Sequence, residues 1–458
     1  MSAWKKVKIG VFLTEREGRY KPDDEAISQY QRLDKIDFSG AVHLSNKPTK
    51  TDMILVKPGD LVISGINVAK GALTVYRGNE PVCATIHYSA YTFNEKLVDV
   101  DYFKYFVKSP AFLETLKQQV KGGIKTEIKP KHLLPLEISI PDLQEQKRIV
   151  AVVSDKLQKA EQLSAEIESQ KTYAKLLRQN ILQQAIEGKL TADWRAQHPV
   201  QKGNPDYDAE ALFEKIQEEK THTGSILLTQ NHKKRKNGKS SDFPNPCDNE
   251  AKPFTIPDGW KWMRLGEILK VFPRNGYSPK AVDFETSVKT LKLGAVTYGI
   301  FNPNEYKYIN EKISKDAYCW LKNGDILIER SNSIDYVGIC AIYTGKDNEF
   351  MYPDLLMRFR VCDLLSNEYI HKALIAPFSR KYFVSNAKGA QKTMPKINQD
   401  CVVNALIPLC PLAEQKEIVA RTEKHLQTVA TLESQIAERE QLTKTLFQSI
   451  LKEAFEES

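Results

Sequence analysis

The sequence predicts an α+β fold in which two globular units of mixed α/β type are separated by two long antiparallel helices, with a pseudo-twofold internal repeat. Three observations predict it. Asp142-Leu143-Gln144-Glu145-Gln146-Lys147-Arg148-Ile149-Val150 returns as Pro411-Leu412-Ala413-Glu414-Gln415-Lys416-Glu417-Ile418-Val419, an offset of 269 residues. The same offset carries Leu157 onto Leu426, Leu163 onto Leu432, Ile167 onto Ile436, Leu177 onto Leu446 and Ile181 onto Ile450. An ungapped register over about 40 residues belongs to a rigid element, because a loop tolerates insertions. The globular parts repeat as well: Lys57-Pro58-Gly59-Asp60-Leu61-Val62-Ile63 matches Lys322-Asn323-Gly324-Asp325-Ile326-Leu327-Ile328.

The first globular unit is expected over residues 1–143. Trp4 opens it, and the Gly59-Asp60 turn leads into a strand from Leu61. A second strand is expected at Ala72-Leu73-Thr74-Val75. Alternating aliphatic and β-branched residues behind a Gly-Asp turn are a strand signature. A central helix over 144–197 follows, capped by Asp142 with Glu145 three residues on. Val150, Leu157, Leu163, Ile167, Leu177 and Ile181 form its apolar stripe. A polar linker spans 198–254, with a short helix at about 208–220 and the basic run Lys233-Lys234-Arg235-Lys236. The second globular unit spans 255–411 and repeats the first from Trp260. The C-terminal helix, 412–458, carries the matching stripe Val419, Leu426, Leu432, Ile436, Leu446 and Ile450. A stripe this narrow calls for one partner helix, so the two helices are expected to pair as a coiled coil, with pairing to a helix of another subunit as an alternative that need not exclude it. At 1.5 Å per residue each rod is roughly 65 Å long.

Composition excludes several classes. With 458 residues, 41% hydrophobic and 27% charged, the chain supports two or three cored domains. No apolar run reaches the roughly 20 residues of a membrane span. The seven cysteines are scattered without a Cys-x-x-Cys pair, which fits reduced thiols in the cytoplasm and no metal site. The net charge is +8, and it is concentrated on the globular units: +4 over 1–143 and +5 over 255–411, against −3 on the C-terminal helix. This balance suits a polyanionic partner.

Catalytic motifs are missing from the sequence. No phosphate-binding Gly-x-x-x-x-Gly-Lys loop or dinucleotide-binding Gly-x-Gly-x-x-Gly occurs. Asn245-Pro246-Cys247-Asp248 shares only its Asn-Pro with the active-site motif of amino-methyltransferases. Glycine-lysine loops are stronger candidates for function. Lys121, Lys125, Thr126 and Lys129 lie in one, and Lys388, Gln391, Lys392 and Lys396 in its counterpart. Glycine lets a backbone approach a phosphate, lysine neutralises it, and Gln or Thr reaches base edges. Asn67 and Lys70 after one strand, and Arg330 and Asn332 after its equivalent, complete the candidate DNA-binding set.

Two units, each closing on a Leu-x-Glu-Gln-Lys motif and a long helix, resemble the specificity subunit of type I restriction-modification systems. Ile181 through Arg195 (Ile-Leu-Gln-Gln-Ala-Ile-Glu-Gly-Lys-Leu-Thr-Ala-Asp-Trp-Arg) is similar to the end of that family's central helical region. Ile256-Pro257-Asp258-Gly259-Trp260 looks like the opening of its target recognition domains. The first unit lacks that opening, and the linker is longer and more basic than the pattern requires. The resemblance implies a non-catalytic reader of a bipartite, asymmetric double-stranded DNA target. Each recognition domain would read one half-site, and the helices would set the spacer between them. The chain would dock two methylation subunits and, through them, restriction subunits. S-adenosylmethionine, ATP and Mg would be bound by those partners and none by this chain. A helical scaffolding protein without DNA reading and a self-sufficient DNA-modifying enzyme are the competing expectations.

Overall fold

The computed structural model describes residues 4–37, 40–66, 72–119, 129–222, 253–388 and 394–455. The chain divides into two compact units, Met1–Gln170 with Gln435–Ser458, and Lys171–Ser434. They share one plan. In the first unit Lys5–Lys8 pairs antiparallel with Glu137–Ile140, so the two ends of the sheet-bearing segment are tied together. One four-stranded sheet has the order Leu13–Glu15, Tyr88–Phe93, Leu61–Ser64, Leu73–Val75. A second has the order Val42–Ser45, Arg32–Ile36, Val82–Thr85, Met53–Val56.

The second unit repeats this arrangement. Lys261–Arg264 pairs with Leu406–Leu409. Its first sheet runs Leu269–Asn275, Leu356–Val361, Ile326–Glu329, Cys340–Ile342. Its other sheet runs Ala281–Val282, Tyr306–Ile309, Val288–Leu291, Phe350–Met351. Each of these outer sheets contains one parallel pair, Arg32–Ile36 with Val82–Thr85 and Val288–Leu291 with Phe350–Met351. The edges differ. The first unit adds Met53–Val56 beside Val82–Thr85, whereas the second adds Ala281–Val282 on the opposite side.

The Gly-Asp turns explain why the repeat survives. Gly59 and Gly324 adopt φ of +88° and +82°, a region that disfavours a side chain. Asp60 Oδ2 then accepts from Lys57 N at 2.8 Å, and Asp325 Oδ2 from Lys322 N at 2.8 Å. Both carboxylates are buried and held by an arginine: Arg16 at 2.6 and 2.8 Å, Arg360 at 2.8 and 3.1 Å. A buried carboxylate needs such partners to offset its lost hydration.

The long helices are Leu143–Ile186 and Leu412–Phe455, 44 residues each. Asp142 Oδ1 caps the first by accepting from Glu145 N at 2.9 Å. This helix stops at Ile186, short of the expected 197. Gly188, at φ +69°, turns the chain, and a separate short helix Ala192–Gln197 follows. A Cβ on Gly188 would lie 2.6 Å from the Pro257 ring, so a larger residue there would force a shift in addition to the left-handed backbone. The short helix expected in the linker is Ala209–His222. The basic run 233–236 lies outside the described residues.

The seam between the helices is narrower than the stripe predicts. Val153, Ala160, Ile167, Ala174 and Ile181 are buried at sevenfold spacing, as are Thr422, Val429, Thr443 and Ile450. Val150, Leu157, Leu163, Val419 and Leu426 are half-buried beside this row, and Ile436, the remaining member of the row on the second helix, is half-buried as well. Leu177, Leu432 and Leu446 are 44%, 41% and 42% exposed, contrary to their expected place in the stripe. They occupy the heptad row that also holds Lys156, Gln170, Arg439 and Glu453. That row forms a polar rim, where Lys156 meets Glu453 at 2.9 Å and Arg439 meets Gln170 at 3.0 Å in the first unit. In the second unit Arg178 meets Glu433 at 2.7 Å. Within each unit these pairs fix an antiparallel course. Alanine and threonine in the buried row let the backbones approach closely, leaving the next row in water.

Each helix end is also rooted in a core. Ile149, Val153, Ile450, Leu451 and Phe455 join Tyr102, Phe103 and Phe106 in the first unit. Leu182, Ala185, Ile186 and Ile418 join Met263, Tyr369 and Ile370 in the second. Among the described residues no helix is long and apolar enough to cross a membrane. Six cysteines are described, all buried and without disulfides.

Candidate nucleic-acid interface

The repeated Glu-Gln pair sits at the root of each long helix, where its glutamine latches two elements. Gln146 Nε2 donates to Pro141 O at 2.9 Å while its Oε1 accepts from Asp99 N at 2.8 Å. Gln415 Nε2 donates to Cys410 O at 2.8 Å while its Oε1 accepts from Ser366 N at 3.2 Å. Asp99 and Ser366 are themselves the N-caps of the helices Val100–Phe106 and Asn367–Ile375. Both glutamines are buried, so they serve the scaffold.

The basic candidates come together in the second unit. Arg330 and Ser331 follow the strand Ile326–Glu329, and Lys388 follows the helix Pro377–Asn386. Lys396 bridges both: it pairs with Ser331 on one side and with Lys388 on the other. Lys388 N donates to Lys396 O at 2.9 Å, Lys396 N to Lys388 O at 3.0 Å, and Ile397 N to Arg330 O at 3.0 Å. Backbone pairing therefore brings the segments that carry Arg330, Lys388 and Lys396, some 60 residues apart in sequence, side by side. Lys388 and Lys396 are exposed, and Arg330 is half-buried beside Asp354 O at 3.4 Å.

Asn332, expected as a base reader, turns its amide inward. Nδ2 donates to Glu329 Oε2 at 2.6 Å, and Oδ1 accepts from Ser333 N at 2.7 Å. Glu329 itself is buried, and burial pushes its carboxyl above the usual range. Thr297 Oγ1 donates to its other oxygen at 2.7 Å. Glu329 thus ties the Arg330–Asn332 loop to the segment around Thr297, a connection the sequence does not signal. In the first unit Lys129 is exposed just ahead of the helix Pro130–Leu133. Asn67, Lys70, Lys121, Lys125, Thr126, Gln391 and Lys392 lie outside the described residues.

A second polar centre, in the second unit, holds the central-region segment. Glu414 accepts from Thr191 Oγ1 at 2.6 Å and Trp260 Nε1 at 2.7 Å, and pairs with Arg195. Arg421 reaches Leu190 O at 2.9 Å and pairs with Asp193. These contacts give Thr191 and Arg195 a structural role that only their place in the central-region motif foreshadowed.

The family model for the type I restriction modification DNA specificity domain matches residues 1–170 and 257–441. The chain belongs to this family. Its two matched regions correspond to the two repeats described above. Among curated relatives, the type I restriction enzyme EcoKI specificity subunit of Escherichia coli strain K12 is 25% identical over 79% of this chain and 66% of its own length. The EcoEI specificity subunit of Escherichia coli is 27% identical over 58% of this chain and 42% of its own. The EcoAI subunit of the same species is 29% identical over 55% and 40%. The chain thus spans between two fifths and two thirds of the length of these relatives. A solved structure, described as showing complex assembly and conformational transition of the type I R-M system, superposes with a TM-score of 0.65 at 18% identity. It covers 99% of this chain and 97% of that one. At this identity the likeness is one of fold.

Proposed function

We propose that this chain is the sequence-reading subunit of a type I restriction-modification complex. Each globular unit would read one half of a bipartite, asymmetric double-stranded DNA target. The observation that carries the reading is the backbone pairing that joins the segments of Arg330, Lys388 and Lys396 on a member of the specificity-domain family. Such cations neutralise phosphates and position the reading loops, while base edges supply the sequence information.

The chain acts as a reader and leaves catalysis to its partners. Two methylation subunits carry S-adenosylmethionine chemistry on adenine, and restriction subunits attached through them carry ATP- and Mg-dependent chemistry. The internal duplication supports this stoichiometry, since two like repeats can offer like surfaces to two copies of one partner. The paired helices serve as the spacer between half-sites: a helical seam of fixed register converts a protein length into a DNA length. Recognition domains 1–143 and 255–411 and the long helices Leu143–Ile186 and Leu412–Phe455 are the functional divisions, with the helix Ala209–His222 packed into the core of the second unit. The work takes place in the cytoplasm, beside the chromosome.

The test is methyladenine sequencing of genomic DNA from a methylation-deficient host expressing this chain with its methylation subunit, with either gene omitted as control. A bipartite methylated motif that needs both genes supports the reading. No motif from a verified complex of the two proteins overturns it.

A further inference from the structure

The second unit carries an exposed apolar tip tied through Glu329 to the loop that follows Arg330. Tyr298 is 80% exposed and Ile300 73%, higher than any other large hydrophobic side chain among the described residues. Burying either side chain against a partner would be favourable.

The tip is held rigidly. Val296, on one side, is fully buried. Phe301, on the other, packs edge-on against Tyr343 with ring centroids 4.9 Å apart. Gly299 adopts φ +73°, and its N–H donates to Val296 O at 2.8 Å, closing a tight turn that throws Tyr298 and Ile300 outward. Thr297 is bound to buried Glu329 at 2.7 Å, and the other Glu329 oxygen holds Asn332 at 2.6 Å. One carboxylate therefore locks the apolar tip to the loop that begins at Arg330. That loop pairs with Lys396, which pairs with Lys388.

A rigid aromatic–aliphatic pair tied to a segment that carries cations suits a polyanion with apolar faces between its charges, which is the chemistry of stacked bases inside a phosphate backbone. Resting on the DNA-reading function above, we propose that Tyr298 and Ile300 form a wedge that enters the groove and stacks against a partly opened base step, while Arg330, Lys388 and Lys396 hold the flanking phosphates. Glu329 is the positioning residue that keeps wedge and clamp in register. Opening the step costs energy that depends on its sequence, so the wedge also contributes to target choice.

The experiment begins with selection of bound duplexes from a random 30-base-pair pool by the full-length chain assembled with its methylation subunit. Adenines of the selected duplex are then replaced singly by 2-aminopurine, which brightens when unstacked. The wedge predicts one position whose fluorescence rises on binding of the wild-type complex. That rise is lost with Tyr298→Ala and with Ile300→Ala and retained with Tyr298→Phe. Affinity falls about tenfold in the alanine variants with the salt slope unchanged, because stacking releases no counterions. Failure to enrich any duplex overturns both the DNA reading and the wedge. Enrichment with equal affinity and equal fluorescence for wild type and Tyr298→Ala overturns the wedge alone. Loss of methylation-subunit binding in the alanine variants, with DNA contacts intact, identifies the tip as a protein contact and also overturns it.

Discussion

Trp260 donates its indole N–H to Glu414 at 2.7 Å, joining the entry of the second globular unit to the first turn of the second long helix. The equivalent residues of the first repeat, Trp4 and Glu145, do not make this bond. They line a pocket of about 200 Å³ with Arg148, Val152 and Lys156, and Glu145 pairs with Arg148. The difference follows from the segment Thr191–Arg195, which fills the corresponding place in the second unit and brings Glu414 its other partners.

This asymmetry predicts unequal costs for equivalent substitutions. Glu414→Ala strands Arg195 and the Trp260 indole without their buried acceptor, and should destabilise the protein by about 3–5 kcal/mol. Glu145→Ala, in a solvent-facing pair, should leave the unfolding transition in place. Calorimetric unfolding of the full chain compares them directly, and equal losses would refute the asymmetric role.

The single-row seam makes a similar distinction along one helix. Ile167 is 1% exposed and Leu177 is 44% exposed. Ile167→Ala should cost about 2–5 kcal/mol through cavity formation. Leu177→Ala should change stability by less than about 0.5 kcal/mol. Urea unfolding followed by helical circular dichroism gives both values.

Acid sensitivity is expected from His371. Burial pushes its imidazole down to about 4, and Lys372 adds to the effect, while its Nε2 lies 2.9 Å from Cys340 O. The unfolded chain takes up this proton near its ordinary value of 6.5, before the folded protein does. Stability is therefore complete above about pH 6.5 and falls by roughly 3 kcal/mol as pH drops to 4. His371→Gln, which retains a donor for the carbonyl, should flatten this part of the pH–stability curve. Denaturant midpoints between pH 4 and 7 provide the check.

Salt dependence separates the two roles assigned within the basic loop. Lys388→Ala or Lys396→Ala should weaken DNA binding and reduce the salt slope by about one, as each removes a phosphate contact. Lys125→Ala and Lys392→Ala carry the same expectation from their sequence context. Asn332→Ala should instead lower the melting temperature, because its amide serves Glu329 and Ser333. Anisotropy titrations at several KCl concentrations would show an unaltered slope for Lys396→Ala if that lysine stood off the DNA.

The repeat itself was legible in the chain because both copies must satisfy the same local physics. Gly59 and Gly324 are needed at positive φ, Asp60 and Asp325 close the turns they start, and Gln146 and Gln415 fit the same helix roots. The helical stripe was legible less sharply. Hydrophobicity marks Leu177, Leu432 and Leu446 as well as the buried row, and only the close approach permitted by Ala160, Ala174, Thr422 and Thr443 decides which row is dry. The candidate site was legible as a set of residue types but not as a place. Asn332 looks like a base reader by type, and its orientation depends on a carboxylate whose burial no local pattern reveals.

By itself, then, the sequence determined the internal duplication, the Gly-Asp turns, the two long helices and the family to which they belong. These rest on short-range geometry or on periodicity, which a linear chain records directly. Tertiary structure alone decided that Lys396 joins Arg330 to Lys388, that Glu329 locks Asn332 to Thr297, and that Thr191 and Arg195 surround Glu414. Each of these depends on which distant groups share a desolvated space, and the strength and direction of a polar interaction are set by that space rather than by sequence neighbours.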